Sequence, residues 1–587
     1  MYIVKNKMQD YRKIPYHEVL ENISLKKLKK AKKLKIYGIY TFNPMKLNNF
    51  LEFFLKNKNL NTEFCDGQYD QLEQEIFSGN DNSIIQKSDL IIIGADLNTK
   101  LSYNENKVDS YLKNLRSLVD KVLKINNTKK NLQIIFWNTT LLNTVFFNVK
   151  NFINKIEKKI NTHNNFLFKI SKKYKNFHVF DVNKVSNIVG NMNFYDEENY
   201  FLSKIPFTDI SHREISFELS QLIMSINEIP KKCLVLDLDN TIWGGVLGED
   251  GIDGIKLGKS FEGEKFKTFQ KYIKTLTKRG VILALASKNN LKDVNECFQK
   301  HSDMVLKKKD FSNIKVNWEP KHINIDLIAK ELNIGKDALV FFDDSKFERE
   351  QMRRFNPQIN VIETPKEPSK YINALELSGF FNQNFQTKED KKKLYQYKIL
   401  EKANKLKSKN DNVEDFLKQL KMEIEITKVN KSNFDRCVQM INKTNQFNLK
   451  TKRYNANELN NFLKNKIQST MVIKLKDKFG DHGITGLVMV NKKKDSDNIY
   501  QIDSFLLSCR ILGRKVEHVI LSELLQNLKK KKIRYVQGSY IRTEKNSQCK
   551  NFYLENNFIK KDKVNYIVDL KKYKFKKNNL INISYKN

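Results

Sequence analysis

Proline and glycine are scarce in this chain of 587 residues, at 8 and 20. That excludes a collagen-like or Gly/Pro-rich low-complexity chain. The six cysteines (Cys65, Cys233, Cys297, Cys437, Cys509, Cys549) lie far apart with no CxxC pair. This argues against a disulfide scaffold or a zinc site and fits reduced thiols in a cytoplasm. Apolar runs such as Leu90 to Ala95 and Cys233 to Leu238 fall far short of the ~20 residues a spanning helix needs, so no membrane span is expected. The start, MYIVKNKMQDYRK, has no apolar h-region, so no secretory signal is expected. Acids are in deficit: 67 Asp and Glu face 106 Lys and Arg, a formal charge of +39.

Such a charge would suit a nucleic-acid binder. Here, however, the lysines are spread through the whole chain and interleaved with Asn and Ile, as in INKIEKKINTHNN. That texture describes Lys-coated solvated faces. With no arginine-rich arm, zinc finger or helix-turn-helix pattern, no nucleic-acid partner is expected. Hydrophobic residues at 40% and aromatics at 11% are enough for several cores, and at roughly 150 residues per domain the length suggests about three or four domains.

From Leu34, short apolar runs (LKIYGIY, DLIIIGA, NLQIIFWN, NFHVFDV) alternate with amphipathic helical stretches, the pattern of a parallel sheet covered on both faces. The spacing predicts one α/β domain over 1–228 and a second over 229–375. The second has strands CLVLDLD, VILALAS, MVL (304–306), ALVFFDD and INVIET. A charged helical linker (376–410) follows, then an α+β domain (411–587) whose strand runs end on either side of the helix RKVEHVILSELLQNLKK.

Residues 237–241 read Asp-Leu-Asp-Asn-Thr at the end of an apolar strand. Two carboxylates two residues apart on an extended exit can share one site, Asp237 as nucleophile and Asp239 as general acid/base, the pair needed to form and hydrolyse an aspartyl phosphate. Ser287 ends the next strand and can hold a phosphate oxygen; Lys321 can neutralise phosphate charge. Asp343 and Asp344 end a further strand and can complete an oxygen-only Mg²⁺ site with Asp237. Three of these elements sit at strand C-termini, where open α/β sheets bind ligands. Asp237 and Ser287 are 50 residues apart and Ser287 and Lys321 only 34, so neither gap holds a large cap. The Gly-rich flap WGGVLGEDGIDGIKLG (243–258) must cover the site alone, leaving it open to a bulky substrate.

This ordered set resembles the haloacid dehalogenase (HAD) superfamily, a Rossmann-like fold. The resemblance implies Asp237 as nucleophile, Asp239 as acid/base with a carbonyl on Mg²⁺, Thr241 and Ser287 on phosphate, Lys321 stabilising the intermediate, and Asp343 with Asp344 at the metal. The strings DLDNTIWGGVLGEDG, ASKNN, NWEPKHINI and FFDDSKFEREQMR are similar to the FkbH-like branch. The similarity continues through TKED (387–390), KTNQFNLKTKRY, LKDKFGDHGITG, SFLLSCRILGRKVE, GSYIRTEKN and FYLENNF. It implies an SGNH-hydrolase-like (flavodoxin-like) N-terminal domain. There His212 follows Asp209 but no Ser has a GDS-type context, so that domain is read as non-catalytic or a binding platform. It also implies a GNAT-like acyltransferase domain at the C-terminus, with Arg510, Gly513 and Arg514 as pantetheine-phosphate candidates before the central helix.

FkbH-like proteins move the glyceryl group of 1,3-bisphosphoglycerate onto the phosphopantetheine thiol of an acyl carrier protein, and Cys509 is the candidate relay thiol. Its alternative is a small buried strand residue. Thr444, Asn445, Gln446 and Phe447 either line the acyl site or form a polar turn. Two other readings stand beside this one: a HAD phosphatase of a small phosphorylated metabolite with a non-catalytic GNAT-like domain, and a basic scaffold with a vestigial HAD fold.

Overall fold

The computed structural model describes residues 8–25, 33–77, 83–97, 105–128, 132–140, 150–383, 393–407, 412–444, 446–464, 469–493, 498–543, 545–575 and 578–586. TKED (387–390) and Asn445 lie outside them. The chain forms two compact units, Met1–Glu228 and Ile229–Asn587. Among the described residues no helix is long and apolar enough to cross a membrane.

The first unit is built on five parallel strands: β1 (Leu34–Tyr40), β2 (Thr62–Asp66), β3 (Leu90–Gly94), β4 (Gln133–Trp137) and β5 (Phe177–Phe180), in the order β2-β1-β3-β4-β5. Alternate residues feed two cores, because successive strand side chains point to opposite faces. Tyr37, Ile39, Ile91, Ile93, Ile134 and Phe136 meet the helices Glu105–Thr128 and Lys150–Lys173. Ile36, Leu90, Ile92 and Ile135 meet Met45–Asn57 and Asp209–Asn227. The edge strand β2 is half exposed, with little apolar signal to announce it.

The second unit opens with five parallel strands: β6 (Cys233–Leu236), β7 (Ile282–Ser287), β8 (Phe311–Val316), β9 (Leu339–Phe342) and β10 (Asn360–Val361), ordered β10-β9-β6-β7-β8. Again both faces are buried. Leu234, Leu236, Leu283, Leu285 and Phe342 pack on Phe269, Ile273 and Tyr371; Cys233, Val235, Ala284 and Phe341 pack on Ile325, Ile328 and Met352. MVL (304–306) is not a strand, contrary to expectation. The amides of Val305 and Leu306 both donate to Oε1 of buried Gln270, at 3.0 and 2.9 Å, so they are used up in a loop. The third strand is FSNIKV instead.

The helix Lys393–Lys407 lies between two cores: Tyr397 and Leu400 join the β6–β9 core, and Ala403 joins the next one. Beyond it comes a nine-stranded mixed sheet of β11 (Met422–Thr427), β12 (Phe447–Asn448), β13 (Ser469–Asp477), β14 (Gly480–Lys492), β15 (Ile499–Leu507), β16 (Tyr535–Ser539), β17 (Ile559–Lys560), β18 (Asn565–Asp569) and β19 (Ile581–Tyr585). Its path is β17-β18-β16-β15-β14-β13-β11-β19, with β12 on β15. The helix Val516–Lys530 crosses from β15 to β16, which are parallel and pair only over Ile499–Gln501 and Tyr535–Gln537.

Candidate active site

β6 and β9 are neighbours in register, with Leu236 opposite Phe342, so the residues leaving their C-termini emerge side by side. Asp237 follows β6 and its amide donates to the Phe342 carbonyl at 3.2 Å; Asp343 and Asp344 follow β9. The carboxylates of Asp237, Asp343 and Asp344 each offer an oxygen within 4.8 Å of the others. Lys321 opens the helix Lys321–Glu331, and its Nζ reaches Asp237 Oδ2 at 2.9 Å and Asp343 Oδ2 at 2.7 Å. All three side chains are nearly sealed from solvent, at 5% exposed for Lys321, 8% for Asp237 and 0% for Asp343.

Three acids around one cation set the electrostatics. Burial first, then the Asp237 charge, pushes the Asp343 carboxyl up to about 7, and the same causes raise Asp344. Burial would lower Lys321, but Asp237 and Asp343 outweigh it and hold its ammonium charged far above the usual lysine range. Asp237 Oδ1 is buried without a hydrogen-bond partner. An unpartnered carboxylate oxygen beside two further carboxylates, with no nitrogen or sulfur donor, suits a hard divalent cation.

The remaining expected residues fall around this centre. Thr241 is fully buried; its hydroxyl donates to Asp344 Oδ1 at 3.2 Å and accepts from the Asp344 amide at 3.3 Å. Ser287 ends β7, the other neighbour of β6, and is 1% exposed. The Asp239 carboxylate accepts from Trp243 Nε1 (2.9 Å), the Leu247 amide (3.1 Å) and Asn289 Nδ2 (2.9 Å). Burial raises its pKa, against the pull of these donors.

Arg349, for which the sequence suggested no role, donates from Nη1 to the carbonyls of Asp343 (3.0 Å) and Asp344 (2.7 Å) and fixes that turn. It lies six residues after Asp343 on the helix Lys346–Phe355, a spacing that carries no signal by itself. The flap is a short excursion: Gly244 and Lys256 exchange two backbone hydrogen bonds at its root, and the helix Leu247–Gly254 rides on top, broken at Gly251 with φ 69°.

The C-terminal candidates are placed elsewhere. Cys509 is half-buried; it packs on the β6–β9 core, its thiol hydrogen-bonds with Tyr397, and its carbonyl accepts from Asn333 Nδ2. Asn333 lies just beyond the far end of the helix that Lys321 begins, 11 residues or about 16 Å long at 1.5 Å per residue. Cys509 is thus not part of the carboxylate site. Arg510 and Arg514, expected as phosphate ligands, are turned inward: Arg510 donates to the His482 carbonyl at 3.2 Å and Arg514 to Asp477 Oδ2 at 2.7 Å, both 5% exposed or less. Gly513 stands at φ 75° with open space where a side chain would be. Thr444 ends the helix Phe434–Lys443, while Gln446 and Phe447 pack beside Cys549, whose Sγ meets the Gln446 carbonyl at 3.4 Å. In the first unit His212 is fully buried, with neither ring nitrogen hydrogen-bonded and Phe207 edge-on at 5.7 Å. It makes no hydrogen bond to Asp209.

No family model and no curated protein matches the chain. Among solved structures, the N-terminal part of the protein BF1531 from Bacteroides fragilis, containing a phosphatase domain complexed with Mg, is 28% identical. The match covers 63% of this chain and 100% of that one, with a TM-score of 0.57. A putative acetyltransferase of the GNAT family from Desulfovibrio desulfuricans (10% identity, 25% of this chain, 99% of that one) scores 0.21. Spermidine N-acetyltransferase from Vibrio cholerae, in complex with CoA and spermine (11%, 26% and 98%), scores 0.22. The last two likenesses are too slight to carry weight. Over nearly two thirds of its length the chain is therefore similar to a protein with a phosphatase domain.

Proposed function

We propose that this protein is a Mg²⁺-dependent HAD-type phosphatase or phosphotransferase of the FkbH-like kind, acting on an acyl phosphate. The observation that carries it is the buried constellation of Asp237, Asp343 and Asp344 around Lys321, at the C-termini of adjacent parallel strands. The likeness to a Mg-complexed phosphatase domain supports it. Asp237, Asp343 and Asp344, with the Asp239 carbonyl, would hold Mg²⁺, which supplies charge neutralisation for the phosphate when bound.

The chain's own groups do the rest. Asp237 attacks phosphorus; the bond to the leaving oxygen breaks, and that oxygen departs with the electron pair, protonated by Asp239 where it needs a proton. Asp239 then takes a proton from water, the water oxygen attacks phosphorus, and the Asp237–phosphorus bond breaks to regenerate the carboxylate. Lys321, held charged, neutralises the phosphorylated Asp237, and Thr241 and Ser287 flank the phosphate. With 1,3-bisphosphoglycerate as donor, Asp237 would take the ester phosphate; the Cys509 thiol would lose its proton and attack the acyl carbonyl carbon, the anhydride phosphate leaving with the bonding pair, and the glyceryl unit would then pass to the phosphopantetheine thiol of a carrier protein as the Cys509 thiolate leaves. A cover no larger than the short flap suits such a bulky partner. Cys509 would serve as relay once its thiol leaves Tyr397, a long flexible arm spanning the helix length between the two places.

A second reading has its own support. The seating of Cys509 against the β6–β9 core, and the inward turn of Arg510 and Arg514, favour a phosphatase whose C-terminal domain is not catalytic. Incubating the protein with 1,3-bisphosphoglycerate, Mg²⁺ and a phosphopantetheinylated carrier protein decides between them by intact mass. A glyceryl-sized increment on the carrier, lost in Asp237→Asn and in Cys509→Ser, supports transfer through the relay. Phosphate release with no adduct supports the phosphatase.

A further inference from the structure

Asp239 is the most crowded carboxylate of the site. An ionised carboxylate offers about four acceptor positions on two oxygens. Three are filled: Oδ1 by the Trp243 indole N–H and the Leu247 amide, Oδ2 by the Asn289 amide. These donors come from different parts of the fold. Trp243 is the root of the flap, fully buried, its ring edge-on to Phe298 at 6.1 Å. Leu247 opens the flap helix. Asn289 follows β7 by two residues, is 5% exposed, and has its own Oδ1 fixed by the Asn290 amide at 3.1 Å.

From this geometry we infer that Trp243 and Asn289 are positioning residues for Asp239, aiming its carboxylate from two sides and tying its placement to the flap. The inference rests on the assignment of Asp239 as the acid/base. Asn289 is anchored to the strand framework, so it holds Oδ2 whatever the flap does. Trp243 and Leu247 belong to the flap and hold Oδ1. Trp243 and Leu247 are themselves packed in the core, so Oδ1 is held as firmly as Oδ2. The position left open is on Oδ2, which takes the proton from water in the second half-reaction, and Trp243, Leu247 and Asn289 together fix where it points. Neither residue touches the phosphorus or the nucleophile; they act through Asp239.

The test uses p-nitrophenyl phosphate, whose leaving group departs without a proton, so that only hydrolysis of the aspartyl phosphate needs Asp239. Trp243→Phe keeps the ring and removes the N–H; Asn289→Leu keeps the volume and removes the donor, with Asn289→Ser as a smaller second variant. The expected result is an undiminished burst of p-nitrophenol, followed by a steady-state kcat at least about tenfold lower. That loss is part of the 10²–10⁴ that general acid–base catalysis supplies. KM should not rise, and phosphorylated Asp237 should accumulate. A merely structural defect would reduce burst and turnover together, and that outcome overturns the inference, as does an unchanged kcat in both Trp243→Phe and Asn289→Leu. If the wild-type protein gives neither burst nor turnover with Mg²⁺, the enzymatic assignment itself fails.

Discussion

Replacing Lys321 with Met removes the ammonium that pairs with two carboxylates of the buried cluster. Its Nζ lies 2.9 Å from Asp237 and 2.7 Å from Asp343, and neither acid is more than 8% exposed. Removing one partner of a buried ion pair costs about 3–5 kcal/mol, because the other charge is left uncompensated. Here one ammonium serves two acids, which points to the upper end. Proton uptake offsets part of this, since the Asp343 carboxyl already sits at about 7. The balance is a loss of about 3–4 kcal/mol in metal-free buffer at pH 8. Hydrogen exchange of peptides spanning Cys233–Leu236 and Leu339–Phe342 in the full chain reads this locally, which a multidomain unfolding curve does not.

Asp343→Asn makes the opposite test. It thins the crowd of acids and leaves Asp237 paired with Lys321, so its stability without metal should stay within about 1 kcal/mol of wild type. Mg²⁺ should slow exchange in Lys321→Met more than in wild type, because it replaces the missing charge. If Lys321→Met exchanges like wild type in metal-free buffer, or if both variants lose equally, the charge argument is wrong.

Three further outcomes are expected. His163 and His212 are fully buried, and burial pushes them down to about 4 and about 3, so the folded first unit keeps them neutral while the unfolded chain protonates near the ordinary histidine value of about 6.5. Their contribution is complete above pH 6.5 and is lost as pH falls toward 4; at pH 5 it has dropped by about 2 kcal/mol per histidine. Exchange of β3 and β4 peptides against pH should show this, and His212→Phe should flatten it. Arg514→Met leaves buried Asp477 without its guanidinium partner, held by His482 and the Phe479 and Gly480 amides, and should cost about 3 kcal/mol, seen as faster exchange in β13 and β14. Gly538→Ala places a Cβ 2.2 Å from the buried Tyr553 ring and should destabilise the C-terminal sheet by about 1–3 kcal/mol, read by the same method.

What the sequence made legible follows from where each signal resides. Strands buried on both faces, such as LIIIG and ILALAS, are unbroken apolar runs and could be read directly. So could the acids at their ends, because a carboxylate directly after such a run has no packing reason to be there. The half-exposed edge strand TEFCD and the two-residue strands β10, β12 and β17 lack that contrast. MVL has the contrast, but Gln270, 35 residues earlier, takes its amides.

The same long-range dependence hid Arg349, Trp243 and Asn289, whose partners are set by the fold alone. It also hid the inward partners of Arg510 and Arg514. A cation before a helix looks like an anion site until its acid, Asp477, is found on a strand 37 residues away for Arg514.

The central claim is that Asp237 carries a phosphoryl group during turnover. Rapid acid quench of the protein with an acyl phosphate and Mg²⁺, followed by peptide mass spectrometry, tests it most directly. The account predicts a phosphoryl adduct on the peptide containing Asp237, absent from Asp237→Asn and from metal-free samples. Turnover with the adduct on another residue, or with Asp237→Asn as active as wild type, would contradict it.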